Sequence, residues 1–187
     1  MFDYPLNSTQ NTYILDHHCS ENVHGRRYTT ALNQFRASLL KGKLFRLQTK
    51  ALRRPLFLVD LNAIKSGLRL RGSCYAGTKV VRIDAIIGSE GRTSDFDRKF
   101  HPVSEEARER WVSVATAYLA RLPLPPVELI QIGNAYFVRD GHHRISVSRA
   151  FGQVAIDAEV TTWNAASPFP WQSTTEHDDL SLAEACC

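Results

Sequence analysis

The chain has 187 residues, of which 43% are hydrophobic and 22% are charged. That length predicts one domain with extensions, and the apolar fraction is sufficient for a hydrophobic core. No apolar run approaches the roughly 18 residues that a membrane-spanning helix needs, and residues 1–15 lack the basic start and apolar centre of a signal peptide. The four cysteines are scattered without a Cys-x-x-Cys spacing. We therefore expect a cytoplasmic protein with no membrane partner and no disulfide framework.

The net charge of +4 is unevenly distributed. Nine basic residues and no acidic residue lie between Glu21 and Asp60, which leaves 14 basic and 19 acidic residues elsewhere. This segment is either a surface that contacts nucleic-acid phosphates or a solvated basic face docked on the acidic remainder of the protein. We favour the docked face, because no known DNA-binding motif accompanies the charges. The nucleic-acid candidates are Arg36, Lys41, Lys43, Arg46, Arg53 and Arg54.

The N-terminal part of the chain is expected to begin with a flexible leader over residues 1–25, which contain few apolar anchors. Thr29 or Thr30 can cap a helix that runs to about Lys41, and Gly42 is a plausible end for it. Beyond this helix, a short strand and a second short helix are expected before residue 70. Residues 26–77 are therefore predicted to form a basic, mainly helical N-terminal extension.

The middle of the chain predicts a strand, a polar loop and a helix. Residues 79–87 first alternate between polar and apolar side chains and then become fully apolar, which is typical of a strand that enters a core. Residues 88–95 form a polar loop with two glycines. Apolar residues at helical spacing follow Ser104 as far as Pro123, and this stripe indicates a helix packed on the core.

A hairpin and a third helix follow. Residues 127–132 and 135–138 are apolar strands that flank Gly133-Asn134, a two-residue turn suited to a hairpin. The return strand leads into a polar turn at residues 140–144 and a short helix that ends near Gly152. Residues 156–160 predict the last strand.

The turn at residues 140–144 has the composition of a phosphate-binding site. Asp140 can cap the following helix, and Gly141 lets the backbone approach a ligand closely. The free amides and the dipole of a helix start favour an anion. Arg144 adds a fixed fork of donors that suits phosphate.

The motif Asp140-Gly-His-His-Arg144 resembles the signature of the ParB/sulfiredoxin superfamily and is most similar to the form found in its free serine kinases. The likeness extends upstream through residues 80–92 and 124–130, so that it covers Lys79 to Trp163. The resemblance implies a nucleotide-binding fold in which this turn holds phosphates. It also implies ATP or ADP with Mg²⁺, with CTP as a third candidate nucleotide.

The resemblance assigns candidate roles within the turn. Gly141, His142, His143 and Arg144 would hold phosphate through backbone amides and the guanidinium group. His142 could donate to a phosphate oxygen, whereas His143 could equally be a buried histidine with its hydrogen bonds satisfied. The alternative for the whole motif is a capped structural turn whose arginine pairs with a nearby acid.

Three further residues receive catalytic or binding roles. Glu90 lies in the loop where the free serine kinases carry a glutamate that takes the proton from the attacking hydroxyl; otherwise it is a solvent-exposed loop carboxylate. Arg92 could bind the nucleotide or a substrate carboxylate, or pair with Asp95 or Asp97. Asp140 is either only a helix cap or a catalytic partner for Mg²⁺ at the phosphates.

Departures from the superfamily restrict the function. His142 stands where sulfiredoxins carry their cysteine, so repair of oxidised cysteine by that thiol is excluded. The segment after Trp163 is too short for the helix-turn-helix domain of full ParB proteins. We expect an ATP- or ADP-dependent phosphotransferase, or a nucleotide hydrolase, that acts on an unidentified small-molecule acceptor. The alternatives are a ParB-like, nucleotide-regulated module that binds DNA or RNA, and a degenerate fold kept for protein contacts.

The predicted fold class is α+β, with a small mixed sheet of the ParB/sulfiredoxin type and a helical basic extension. The predicted organisation is a flexible leader at 1–25, the extension at 26–77, the nucleotide-binding domain at 78–163 and an extended acidic tail at 164–187.

Overall fold

A computed structural model describes residues 9–166, with side chains described from Val23 onward. The predicted acidic tail therefore lies almost entirely outside the described residues. The fold combines a long N-terminal helix with a six-stranded mixed sheet, which confirms the α+β prediction. The helices are α1 (Thr9–Ala51), α2 (Leu61–Lys65), α3 (Arg108–Leu119) and α4 (His142–Ala150). The strands are β1 (Val59–Asp60), β2 (Leu70–Arg82), β3 (Ile86–Ser89), β4 (Val127–Ile132), β5 (Ala135–Asp140) and β6 (Ala155–Ala165).

The six strands lie in the order β1-β3-β5-β4-β6-β2. Neighbours β1 and β3, β3 and β5, and β4 and β6 are parallel, whereas β4–β5 and β6–β2 are antiparallel. The predicted hairpin is confirmed as β4 and β5, and Gly133 in its turn has a φ of 60°. Because β3 and β5 are parallel neighbours, the segments that follow them leave the sheet at the same edge.

The expected continuous strand over residues 79–87 is wrong. β2 ends at Arg82, a 3₁₀ turn occupies Ile83–Ala85, and β3 begins at Ile86. The break has a topological cause, because β2 pairs with β6 at one end of the sheet whereas β3 pairs with β1 and β5 near the other. The chain has to change direction between the two strands.

Helix α1 is longer than the sequence indicates. It already includes the residues from Thr9 to Gly25 that were expected to form a leader, and it continues past Gly42, so the predicted helix end is wrong. Thr29 and Thr30 do not cap it, because their hydroxyls donate to backbone carbonyls four residues earlier, at 2.9 and 2.8 Å. The helix continues through Gly42, where the absence of a side chain leaves room for the loop at His101.

The sheet has a hydrophobic core on each face. Helices α1, α3 and α4 pack on one face, where the rings of Phe35 and Trp111 lie 5.5 Å apart and Ile145 is fully buried. Leu61 of α2 packs on the other face, with Phe137 among its neighbours. The predicted extension and nucleotide-binding domain therefore share one sheet and both of its cores, and β2 runs through the boundary drawn between them at residues 77 and 78. Within residues 9–166, no helix is long and apolar enough to cross a membrane.

The close contact at Gly42 gives a first prediction. A Cβ atom on Gly42 would lie 2.8 Å from Cβ of His101 and 2.9 Å from a guanidinium nitrogen of Arg46. Gly42→Ala should therefore destabilise the protein by about 1–3 kcal/mol through overpacking, although alanine is the better helix former. Gly25→Ala is the matched control in the same helix, since nothing lies within 4 Å of that position, and it should stabilise by about 0.5–1 kcal/mol. Urea unfolding would measure the change in stability of both variants. A Gly42→Ala variant that is more stable than the wild type would contradict the close packing of α1 against His101.

Candidate functional site

Two polar segments meet where β3 and β5 end. Ser89 of β3 is in register with Val138 of β5, and the backbone amide of Glu90 donates to the Val138 carbonyl over 2.9 Å. The chain then enters the polar loop after β3, while β5 continues two residues further into the turn at Gly141. The sheet thus places the Glu90 loop beside the start of α4.

A buried hydrogen bond joins the loop to the helix. Oγ of Ser89 lies 2.7 Å from Nε2 of His142, and both side chains are almost fully buried. The Ser89 hydroxyl also accepts from the Gly91 amide at 3.1 Å. The Nε2 atom of His142 is thus engaged within the protein, so its contribution is to hold the loop against α4. The sequence did not single out Ser89, whose only signal was its place at the end of an apolar strand.

Both histidines of the motif are neutral at pH 7. Burial, reinforced by the nearby Arg92, lowers the pKa of His142 from 6.5 to about 4. Burial and the nearby Arg110 and Arg92 lower the pKa of His143 to about 4. The rings of His143 and Phe96 meet edge to face, with their centroids 5.2 Å apart. Nδ1 of His143 is buried without a hydrogen-bond partner among the described residues. Positive charge at this site comes from arginines and the helix start, not from the histidines.

The depressed pKa of His142 makes stability depend on pH. Between pH 6.5 and 4 the unfolded chain binds more protons than the folded one, so stability falls as the pH is lowered through this window. His142 alone should cost about 2 kcal/mol between pH 7 and pH 5. His142→Gln, which keeps an amide near Ser89, should remove that part of the slope in urea unfolding at both pH values. An unchanged slope would show that His142 does not titrate in this way.

The first turn of α4 has no side-chain cap. The N-cap residue is Gly141, with a φ of 101°, so the prediction that Asp140 caps the helix is wrong. A Cβ at Gly141 would lie 2.5 Å from Cγ1 of Val127, so both the conformation and the packing require glycine there. The first amide of α4 that bonds within the turn is that of Ile145, which donates to the Gly141 carbonyl over 3.0 Å. The preceding amides of the helix are therefore available to an anion.

Arg144 braces the motif. Nη1 donates to the carbonyls of Pro125 and Pro126 at 2.6 and 2.7 Å, and Nη2 donates to Oδ2 of Asp140 at 2.5 Å. The Arg144 side chain is only 15% exposed. This is the geometry of the alternative interpretation, in which the arginine pairs with a nearby acid. The expected phosphate contact would require Arg144 to exchange these partners.

Glu90 is oriented by a residue that sequence reasoning missed. Its Oε2 accepts from Nε of Arg139 at 3.0 Å, and its carboxylate is partly exposed. The side-chain amide of Asn62 donates to the Glu90 carbonyl. Oε1 of Glu90 makes no hydrogen bond to the described residues. Arg139 lies directly before the motif on an exposed position of β5, and its charge there was the only available signal.

Arg92 and Asp140 are the other candidates with uncommitted polar atoms. The nearest contact of Arg92 with an acid is 4.0 Å, to Oδ2 of Asp95, and both side chains are about half exposed. Asp97, the other predicted partner, is fully buried and bonds to the residues that follow it. Asp140 is 67% exposed and only one of its carboxylate oxygens is bonded. No group of three metal-ligating side chains occurs among the described residues, so Mg²⁺ would need ligands from phosphates and water beside Asp140.

The proposed nucleic-acid residues do not form one surface. Arg46 is held in the protein, because its guanidinium lies 3.6 Å from the buried Asp97 carboxylate and its side chain is 17% exposed. Arg36 and Lys43 are exposed and lie about 20° apart around α1, whereas Lys41 lies about 140° from Arg36. The remaining candidates, Arg53 and Arg54, are exposed beyond the end of the helix.

Comparisons with known proteins add no relative. No family model, no curated protein and no solved structure matches the chain.

Proposed function

We propose that this protein belongs to the ParB/sulfiredoxin superfamily and is an ATP- or ADP-dependent phosphotransferase that acts on a small hydroxylated acceptor. The observation that carries the proposal is the junction of the two polar segments: the Ser89–His142 hydrogen bond holds the Glu90 loop against the uncapped start of α4. A nucleotide phosphate and an acceptor hydroxyl can meet at such a junction. Phosphoryl transfer depends mainly on positioning and charge neutralisation.

The described groups supply the required interactions. The first amides of α4 and the half-exposed Arg92 would bind the phosphates, and Arg110 adds positive charge from α3. Oε1 of Glu90 would take the proton of the acceptor, while Arg139 fixes the other carboxylate oxygen. Asp140 would hold Mg²⁺ together with the phosphates, and the ion would neutralise charge that develops in transfer. Arg144 would hold the turn at residues 140–144 in place through its hydrogen bonds to the Pro125 carbonyl and to Asp140.

Nucleotide binding is the first experiment. Thermal shift and calorimetry with ATP, ADP, CTP and GTP, with and without Mg²⁺, should show adenine-selective stabilisation of about 2.7 kcal/mol at 100 times the dissociation constant. Arg92→Gln should weaken binding about tenfold by loss of a charge-assisted contact. Arg98→Gln is the matched control, because Arg98 is an exposed arginine six residues further along the chain. Absence of nucleotide binding, or equal losses in both variants, would overturn the proposal.

The second candidate is a nucleotide-regulated module that binds nucleic acid without small-molecule catalysis. It is favoured by one observation: Arg36 and Lys43 are exposed on one side of α1 and form no ion pair with the described residues. Its signature would be selectivity for cytidine nucleotides together with DNA or RNA binding that weakens steeply with salt, because bound phosphates release counterions. Arg36→Gln and Lys43→Gln together should lower that salt slope by about two. Nucleic-acid binding that does not weaken as the salt concentration rises would exclude this second candidate function.

A further inference from the structure

A polar cavity lies about 10 Å along α4 from the motif. It has a volume of about 70 Å³ and is enclosed by α1, by the loop at residues 99–101 and by the last two turns of α4. Its lining includes Ser38 of α1 and Ser146 of α4, which are 4% and 1% exposed. The cavity therefore has buried hydroxyl groups at its base, and it is separate from the Glu90 junction.

The charged groups that line this cavity are all basic. Lys41 comes from α1, Lys99 from the loop and Arg149 from α4, and no aspartate or glutamate lines the cavity. None of the three forms an ion pair with the described residues. The nearest acid on the loop, Asp97, is fully buried and lies 3.6 Å from the guanidinium of Arg46. Asp84 is close enough to Arg149 to interact with it electrostatically, but it is about half exposed and is paired with Arg82 at 2.7 Å. Three basic side chains around one cavity raise the local potential and favour an anion.

The hydroxyl groups of the cavity are distinguished by their partners. Ser146 is satisfied, since its Oγ accepts from Nε1 of Trp111 at 2.8 Å and donates to the Phe100 carbonyl at 2.6 Å. The Ser38 hydroxyl, by contrast, makes no hydrogen bond to the described residues, and its oxygen is open to the cavity, because Nδ1 of His143 is the only fully buried side-chain polar atom without a partner in the described part of the chain. Ser38 can therefore donate a hydrogen bond to a ligand in the cavity.

We infer that this cavity is a binding site for a single tetrahedral oxyanion, the phosphate group of a small phosphorylated molecule. Lys41, Lys99 and Arg149 would supply the charge, and Ser38 would donate to one oxygen. The cavity has room for one phosphate group. This inference does not depend on the proposed phosphotransferase activity, because it uses none of the residues of the Glu90 junction.

The inference is tested on the full chain with inorganic phosphate as the probe, at constant ionic strength set with chloride. Saturable stabilisation in thermal shift and line broadening in ³¹P NMR are expected for the wild type. Arg149→Gln and Lys41→Gln should each raise the half-saturating phosphate concentration about tenfold, the typical effect of one charge-assisted hydrogen bond. Lys43→Gln is the matched control. This substitution removes one positive charge from the exposed far side of α1, and it should leave the titration unchanged.

Titrations with further ligands identify the kind of molecule that carries the phosphate group. Phosphoserine or AMP that binds more tightly than inorganic phosphate, with the gain lost in Arg149→Gln, would assign the site to a small phosphorylated molecule. Three results would overturn the inference: a linear, non-saturating response to phosphate, an equal loss in Lys43→Gln, or binding only of a DNA oligonucleotide that Lys43→Gln also weakens. Phosphate bound at the Glu90 junction would appear as a separate component of the titration. Arg92→Gln should weaken that component and leave the component that is lost in Arg149→Gln unchanged, so that failure here and failure at the Glu90 junction remain distinguishable.

Discussion

Glu90→Gln is expected to lower phosphoryl transfer by about 10²–10⁴-fold, the usual contribution of a positioned general base. The glutamine amide keeps the size of the side chain and an oxygen that can accept from Arg139, but it cannot take a proton. Nucleotide affinity should change little, because the phosphates are held by the α4 amides and Arg92. Steady-state assays with hydroxylated metabolites, and calorimetry with nucleotide, would separate the two quantities.

The control for Glu90 is Glu106→Gln. Glu106 is an exposed glutamate before α3, so that variant should keep the full rate of transfer. Arg139→Gln provides a second comparison, because it leaves the carboxylate in place but removes its 3.0 Å hydrogen bond. It should lower the rate of transfer, because the carboxylate is then no longer held in one orientation. A Glu90→Gln enzyme with wild-type turnover for every donor and acceptor would exclude Glu90 as the base.

Gly88→Ala is expected to cost about 3 kcal/mol or more in the free energy of unfolding. A Cβ atom at Gly88 would lie 2.4 Å from the ring of Phe137 and 2.5 Å from the carbonyl oxygen of Val59. Phe137 is fully buried, and Val59 belongs to the strand paired with Gly88, so neither group can move aside cheaply. Overpacking of this kind typically costs about 1–3 kcal/mol and sometimes more.

Gly91→Ala is the matched control, since no atom lies within 4 Å of that position and its φ is not positive. It should change the stability by less than about 0.5 kcal/mol, as surface substitutions usually do. Urea unfolding of the two variants beside the wild type makes the comparison. If Gly88→Ala were as stable as Gly91→Ala, the close packing of β1, β3 and β5 would be wrong.

Local signals explain which elements could be predicted from the sequence. The hairpin was predictable from its turn residues, Gly133-Asn134, and helix α4 was predictable from apolar residues at helical spacing. Each of these signals is contained within a few neighbouring residues. The extent of α1 was not predictable in this way, because Gly42, which was expected to end the helix, is instead the position where α1 packs closely against His101, 59 residues away, and only glycine leaves room there. Tertiary packing decided that position against local propensity.

The candidate site was predictable in part for the same reason. The resemblance assigned a catalytic glutamate to the Glu90 loop and phosphate binding to the Asp140 turn, and the parallel pair β3–β5 brings these two segments together. The partners of Arg144 were not predictable, because the carbonyls of Pro125 and Pro126 become acceptors only when the chain folds back. Ser89 was missed because a lone serine at a strand end has no distinctive pattern.

The parallel pairing of β3 with β5 also has a kinetic consequence. Ser89 and Val138 are in register although the loop, α3 and β4 all lie between them in the chain. Closing such a long segment costs entropy before any contact is gained, and non-local pairings of this kind slow folding. The Glu90 loop and the start of α4 can therefore come together only after this closure, so the candidate site becomes ordered late in folding.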